Sequence, residues 1–183
     1  MLDENCIGGN AHACHSGSPE ENRSRADRSS GLTLAARELC FRRLYGAPCA
    51  AVWAAWTDPR QLALWWGPRG ITIHGCEVDL RPGGRFHMVM RDDRGREFPH
   101  SGVFLEILPL RRLVFTDAYE VGWVPSVDLP FMTAVVAFED LGSKTRVIVQ
   151  ARHWTPADRE AHERMGFVET WSESADKLAA YLA

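Results

Sequence analysis

From residue 38 onward apolar and polar side chains alternate, with Leu39 and Phe41 standing among Glu38, Cys40 and Arg42. A period of two marks a half-buried strand and predicts a first strand over residues 33–45. The period then changes. In PCAAVWAAW, starting at Pro48, the apolar residues Val52, Trp53 and Trp56 recur at helical spacing behind a proline suited to a helix start. Asp58 followed by Pro59 reads as an N-cap and first helical residue, so a second short helix runs to about Trp65. Trp65 and Trp66 close that helix, and Gly67-Pro68 turns the chain out of it.

Downstream the punctuation is that of hairpins. ITIHGCEVDL leads through RPGG to RFHMVMR, which leads through DDRG towards SGVFLEIL. PLRR separates that stretch from LVFTDAY, and after a longer loop FMTAVVAF and TRVIVQARH are joined by EDLGSK. Strands in succession with short connections predict an antiparallel meander, because parallel neighbours need long crossovers. The last element opens with TPAD: Thr155 suits the N-cap, Pro156 the first turn and Asp158 the capping-box position. Ala161, Met165, Val168, Ala175, Leu178 and Leu182 fall near one helical face, with Trp171 at its edge. Glu160 with Arg164, and Glu173 with Lys177, read as i,i+4 pairs on the wet face. One helix over residues 155–182 would be roughly 40 Å long, enough to cross a curved sheet and cover its apolar face. Gly166 inside it costs about 1 kcal/mol relative to Ala, so close packing or a bend is expected there.

Composition narrows the class. A chain of 183 residues, 45% apolar, is sized for one domain with a real core. A formal charge of -3 gives no footprint for nucleic acid. No apolar run approaches the ~20 residues of a membrane span, so no membrane insertion is expected and a cytoplasmic location fits. Five cysteines form an odd set without paired spacing, which reads as reduced thiols. Residues 1–31, rich in Gly, Ser, Asn and charge, read as a disordered tail before a domain over residues 32–183. His12, Cys14 and His15 cluster in that tail, but a structural zinc site wants four ligands on a folded frame; no metal and no cofactor is expected.

AWTDPRQLALWWGP, then CEVDLRPGGRF, then MGFVETW, in that order, together resemble the START-like, helix-grip (SRPBCC) superfamily, and within it the branch named after the activator of heat-shock protein 90 ATPase. The resemblance covers about residues 32–183. It implies an α+β fold: a seven-stranded antiparallel sheet wrapped around a long C-terminal helix, two short helices after the first strand, and an apolar cavity between sheet and helix. It does not imply one reaction, since relatives bind lipids, cyclise polyketides or act as co-chaperones.

The cavity walls follow from pairing across the hairpins. If Leu80 faces Arg85 across RPGG, then Asp79 shares a face with Phe86, Glu77 with Met88 and Gly75 with Met90. If DDRG closes the next hairpin alike, Phe86, Met88 and Met90 share their face with Ser101, Val103, Leu105 and Ile107, while Arg85, His87 and Arg91 point outward. Glu77 and Asp79 would then face an apolar interior, where carboxylates serve acid–base chemistry. A single bulge would flip this parity and leave both in solvent. His100 and His153 flank strand ends near a cavity mouth and are further catalytic candidates, although a histidine there also serves as a hydrogen-bonding spacer. Asp117 and Arg152 read as structural ion-pair residues. No nucleophile elbow, phosphate loop or HExxH pattern appears.

The expected ligand wall comprises Trp65, Trp66, Phe86, Met88, Met90, Val103 and Leu105 facing Met165, Val168 and Trp171. Met132 adds to the methionines that suit a tolerant apolar pocket. Three functions compete. The first is binding of a small apolar molecule by a monomer or homodimer. The second is an enzyme of the polyketide cyclase or dehydratase kind using cavity carboxylates. The third is a co-chaperone of heat-shock protein 90, which fits least because the eukaryotic activators carry an additional folded domain that a short tail cannot supply.

Overall fold

The computed structural model describes residues 33–126 and 132–183. The expected tail, with His12, Cys14 and His15, lies outside them. A 3-10 turn (Leu34–Arg37) occupies the start of the expected first strand, and β1 runs over Glu38–Tyr45. Helices α1 (Cys49–Thr57) and α2 (Pro59–Trp65) follow, the second capped by the Asp58 carboxylate, which accepts the Arg60 N–H at 2.9 Å. The strands are β2 (Thr72–Val78), β3 (Arg85–Arg91), β4 (Glu97–Leu108), β5 (Arg112–Thr116), a small hairpin of β6 (Tyr119–Glu120) and β7 (Val124–Pro125), then β8 (Thr133–Asp140) and β9 (Thr145–Arg152). Seven of them form one antiparallel sheet in the order β1-β9-β8-β5-β4-β3-β2, and the β6-β7 hairpin stands apart in what the sequence reads as a long loop.

The C-terminal segment is two helices rather than one: α3 (Pro156–Arg164) and α4 (Phe167–Tyr181). The Thr155–Asp158 capping box starts the first. Gly166 ends it, at φ +88, a left-handed conformation open to glycine and costly for a residue with a Cβ. The break lets each helix choose its own axis. α4 packs on α2 and β1 and buries Phe167, Trp171, Ala175 and Leu178, whereas α3 buries no residue and leans on the 3-10 turn and α4.

Turn length decides which residues face the core. Asp79, not Leu80, opposes Arg85: its N–H donates to the Arg85 carbonyl at 2.8 Å, so the loop is one residue longer than RPGG. Asp92 likewise donates to Arg96, and Arg91 pairs with Glu97, which lengthens the DDRG turn by one. Gly84 sits where a Cβ would overlap the Asp79 carbonyl oxygen and come within 2.8 Å of that of Arg81. The pairs are therefore Val78–Phe86 and Cys76–Met88 across β2 and β3, and Phe86–Gly102, Met88–His100 and Met90–Phe98 across β3 and β4. A bulge between Phe104 and Glu106 shifts the register again, so Ile107 opposes the buried Leu113.

Two further expectations change. Glu173 and Lys177 do not serve an idle wet face: Lys177 Nζ donates to the carbonyls of Trp66, Gly67 and Ile71 at 3.1–3.4 Å, and Glu173 accepts the Arg69 N–H at 2.9 Å. Together they fasten the WWGPRG loop to α4. Glu160 and Arg164 do pair, at 3.9 Å. Cys40 is disulfide-bonded while Cys49 and Cys76 are free thiols, so the reading of all cysteines as reduced does not hold at Cys40.

Candidate functional site

The two adjacent tryptophans diverge, as consecutive residues at a helix end must. Trp65 is 1% exposed and locked between the short helices, its Nε1–H donating to the Ala55 carbonyl at 2.9 Å. Trp66 is partly buried and turns towards the sheet. Its ring centroid lies 5.8 Å from Trp56, 5.6 Å from Phe86 and 5.5 Å from Trp171, each nearly edge-on. Trp56 stacks on Trp171 at 6.1 Å and 13°. Edge-to-face and offset arrangements of this kind suit the aromatic quadrupole. Within this cluster Trp56 is buried, yet its Nε1–H has no hydrogen-bond partner among the described residues. A buried N–H without an acceptor costs about 1–3 kcal/mol.

The sheet floor beneath this cluster carries Phe86, Phe104 and Phe115, with Met88 fully buried. Towards the β2–β3–β4 edge the same face opens through partly buried Ile73, Cys76, Met90 and His100. His100 stands opposite Met88, edge-on to Phe86 at 6.4 Å. Burial, with His87 nearby, holds its pKa below the usual histidine value, so the imidazole is neutral at pH 7. Burial pushes the Cys76 thiol up to about 11, which keeps it protonated and unreactive.

Several expected wall residues lie elsewhere. Glu77 and Asp79 face solvent, ion-paired with Arg85 at 3.8 Å and Arg81 at 2.8 Å, because the longer turn reverses their parity. Ser101 shares the outer face with His87, its hydroxyl 2.7 Å from Nδ1. Val103 is buried but on that opposite face, across from Arg85, and Leu105 sits exposed at the bulge. Met165 is 67% exposed and Val168 also faces solvent, because the helix breaks between them; Trp171 alone of that trio reaches the sheet side. Met132 packs at the core edge. Arg152 does form an ion pair, with the buried Glu38 at 3.1 Å. Asp117 forms none among the described residues; its carboxylate accepts the Met132 N–H at 2.7 Å, and burial raises its pKa to about 6.

His153 lies at the end of β9, away from the Trp66 cluster. It is buried, its Nδ1 lies 3.2 Å from the Arg37 carbonyl and its Nε2 2.8 Å from Nδ1 of His162 in α3. A carbonyl only accepts, so neutral His153 carries its proton on Nδ1 and takes the His162 N–H on Nε2. Burial, then the neighbouring His153, lowers His162 to about 4. Sequence reasoning missed Trp56, His162 and Lys177. Only the aromatic density of PCAAVWAAW hinted at the first, and nothing local pointed to the other two. Among the described residues no group of three or more His, Cys, Asp or Glu could hold a metal ion, and no helix is long and apolar enough to cross a membrane.

An antiparallel sheet curled over a C-terminal helix, with two short helices plugging one end, defines the START-like helix-grip class. Residues 46–183 match the model of the family described as activator of Hsp90 ATPase homolog 1-like protein, and the chain belongs to that family. A crystal structure of a Nitrosomonas europaea protein is similar at 40% identity and TM-score 0.77, covering 81% of this chain and 95% of that one. One from Mycobacterium smegmatis is 26% identical with TM-score 0.70, covering 82% and 93%. A Silicibacter pomeroyi protein, 24% identical with TM-score 0.61 over 79% and 96%, shares the fold. Among curated proteins none matches this chain.

Proposed function

We propose that this protein binds a small apolar molecule, aromatic or lipid-like, between the β2–β3–β4 floor and α4, with Trp66 as its principal contact. The observation that carries this reading is the partly open aromatic cluster around Trp66, with the buried, unpartnered Nε1–H of Trp56 inside it. An aromatic-lined site with a buried unsatisfied donor suits an apolar ligand bearing an acceptor oxygen. Family membership is compatible with such binding. Native mass spectrometry of the purified chain, followed by a melting screen against fatty acids, sterols and aromatic polyketides, tests it. A ligand at a hundred times its dissociation constant should add about 2.7 kcal/mol of stability. Met90→Arg places a charge on the partly open floor and should remove the shift. If no compound stabilises the wild type, the reading fails.

A second reading, an acid–base enzyme of the polyketide cyclase kind, now rests on His100, because Glu77 and Asp79 point outward. A neutral imidazole beside an apolar floor is a competent base. His100→Gln should then abolish turnover of a bound polyketide while leaving its melting shift in place. Stimulation of heat-shock protein 90 ATPase, the activity in the family's name, is checked by adding the protein to that chaperone in a phosphate-release assay. We propose a cytoplasmic location; fractionation checks this.

A further inference from the structure

The end of the sheet where β1 begins and β9 finishes carries a recess of about 460 Å³, lined by Leu34, Arg37, Thr133, Arg152, His153 and Trp154. We propose that this recess binds a small organic carboxylate, its head on the Arg37 and Arg152 guanidiniums and its apolar body against Leu34 and Trp154. The site is separate from the Trp66 cluster.

Charge comes first. Two guanidiniums line one recess, and the carboxylate that ion-pairs here is Glu38, which takes Arg152 Nε at 3.1 Å and a Gln150 amide N–H at 2.9 Å. Arg37 has no ion-pair partner among the described residues. It donates Nη1 to the Trp154 carbonyl at 3.2 Å, while its Nε–H is buried without an acceptor. Arg152, engaged through Nε, keeps its other N–H groups for a second acceptor. One positive charge is therefore uncompensated, and it carries a desolvated donor. A planar carboxylate, able to accept two parallel N–H bonds from a guanidinium, answers both. His153 adds no charge at pH 7, since burial lowers its pKa below the usual histidine value.

Size and polarity select the rest of the ligand. The recess is far larger than an inorganic anion needs and falls at the lower end of small-molecule sites, ~300–1,000 Å³. Leu34 is exposed and Trp154 is 66% exposed, so an indole and an aliphatic side chain flank the charged floor. Such a rim favours an aryl or alkyl body over a hydrated ion.

The probe is 1-naphthoate, titrated into the full-length protein by calorimetry and by the indole N–H signal of Trp154 in NMR, assigned with Trp154→Phe. The expected result is saturable binding that moves the Trp154 signal and weakens as salt rises. Arg37→Gln should lower affinity about tenfold while leaving the melting temperature within a degree or two, because Arg37 forms no ion pair among the described residues and gives up one exposed hydrogen bond to the Trp154 carbonyl. If Arg152→Gln fails to fold because Glu38 is left buried and unpaired, Arg152→Lys keeps the charge without the fork and should weaken binding about fivefold. Uncharged 1-naphthalenemethanol should not bind here. An unchanged affinity in Arg37→Gln, equal binding of the alcohol, or a Trp154 signal that stays put under saturating naphthoate would each overturn the proposal.

Discussion

Replacing Trp65 and Trp66 one at a time with alanine separates stability from ligand contact at the WWGP corner. Trp65 is 1% exposed, packs on Trp56 at 4.9 Å and donates its Nε1–H to Ala55. Truncating a buried tryptophan costs about 3–5 kcal/mol through lost burial and the cavity left behind. The abandoned Ala55 carbonyl, facing a hollow rather than water, pushes the figure to the upper end. Trp66 is partly exposed and makes no side-chain hydrogen bond among the described residues. Its loss forfeits ring contacts with Trp56, Phe86 and Trp171, about 2 kcal/mol in all. Urea melts read the difference as a shift in midpoint at constant slope. Trp65→Phe, which keeps the apolar bulk and removes the donor, should fall between at about 1–2 kcal/mol. The ligand screen should reverse the order: Trp66→Ala loses the melting shift, while Trp65→Ala, where folded, retains it. Equal midpoint losses in the two alanine variants, or a larger one at Trp66, would refute the division.

Lys177→Ala removes three hydrogen bonds to the Trp66, Gly67 and Ile71 carbonyls. It should cost about 1–2 kcal/mol and speed amide exchange over the WWGPRG loop before other regions, as read by exchange mass spectrometry. Gly84→Ala forces a Cβ into the Asp79 and Arg81 carbonyls and should destabilise by about 3 kcal/mol or prevent soluble expression. Acid should loosen the attachment of α3. His162 is held at about 4 against an ordinary 6.5, so the unfolded chain takes up a proton that the folded one refuses. Its contribution is complete above pH 6.5 and declines as pH falls towards 4, with a slope below ~1.4 kcal/mol per pH unit because the ring is part-exposed. Asp117, raised to about 6, acts in the opposite sense between pH 6 and 3.8. The measurement is therefore the difference between wild type and His162→Gln, which should narrow as pH drops; a constant difference would exclude the titration.

Local chemistry made much of this protein legible. Caps at Asp58 and Thr155, the prolines behind them, the change of period after Tyr45 and the turn residues of the meander each act within a few positions of themselves. The order of helices and strands and the antiparallel sheet followed from them. The break at Gly166 was half legible: a glycine inside a helical pattern signals a bend, but only packing against α2 and β1 shows that α4 needs its own axis. Parity was the main failure. One residue more in each of two turns reverses every side chain along a strand, and RPGG or DDRG reads the same either way. That single ambiguity put Glu77 and Asp79 on the apolar face and Val103 and Leu105 in the cavity wall, where the register places neither pair. Long-range partners were silent for a different reason. Lys177 meets three carbonyls more than a hundred positions away, and Arg37 shares a recess with Arg152, because a curled sheet returns distant chain ends to one edge. Sequence patterns report what a residue does to its neighbours in the chain; which side chains meet across the fold depends on register and helix axes that form only when the core closes.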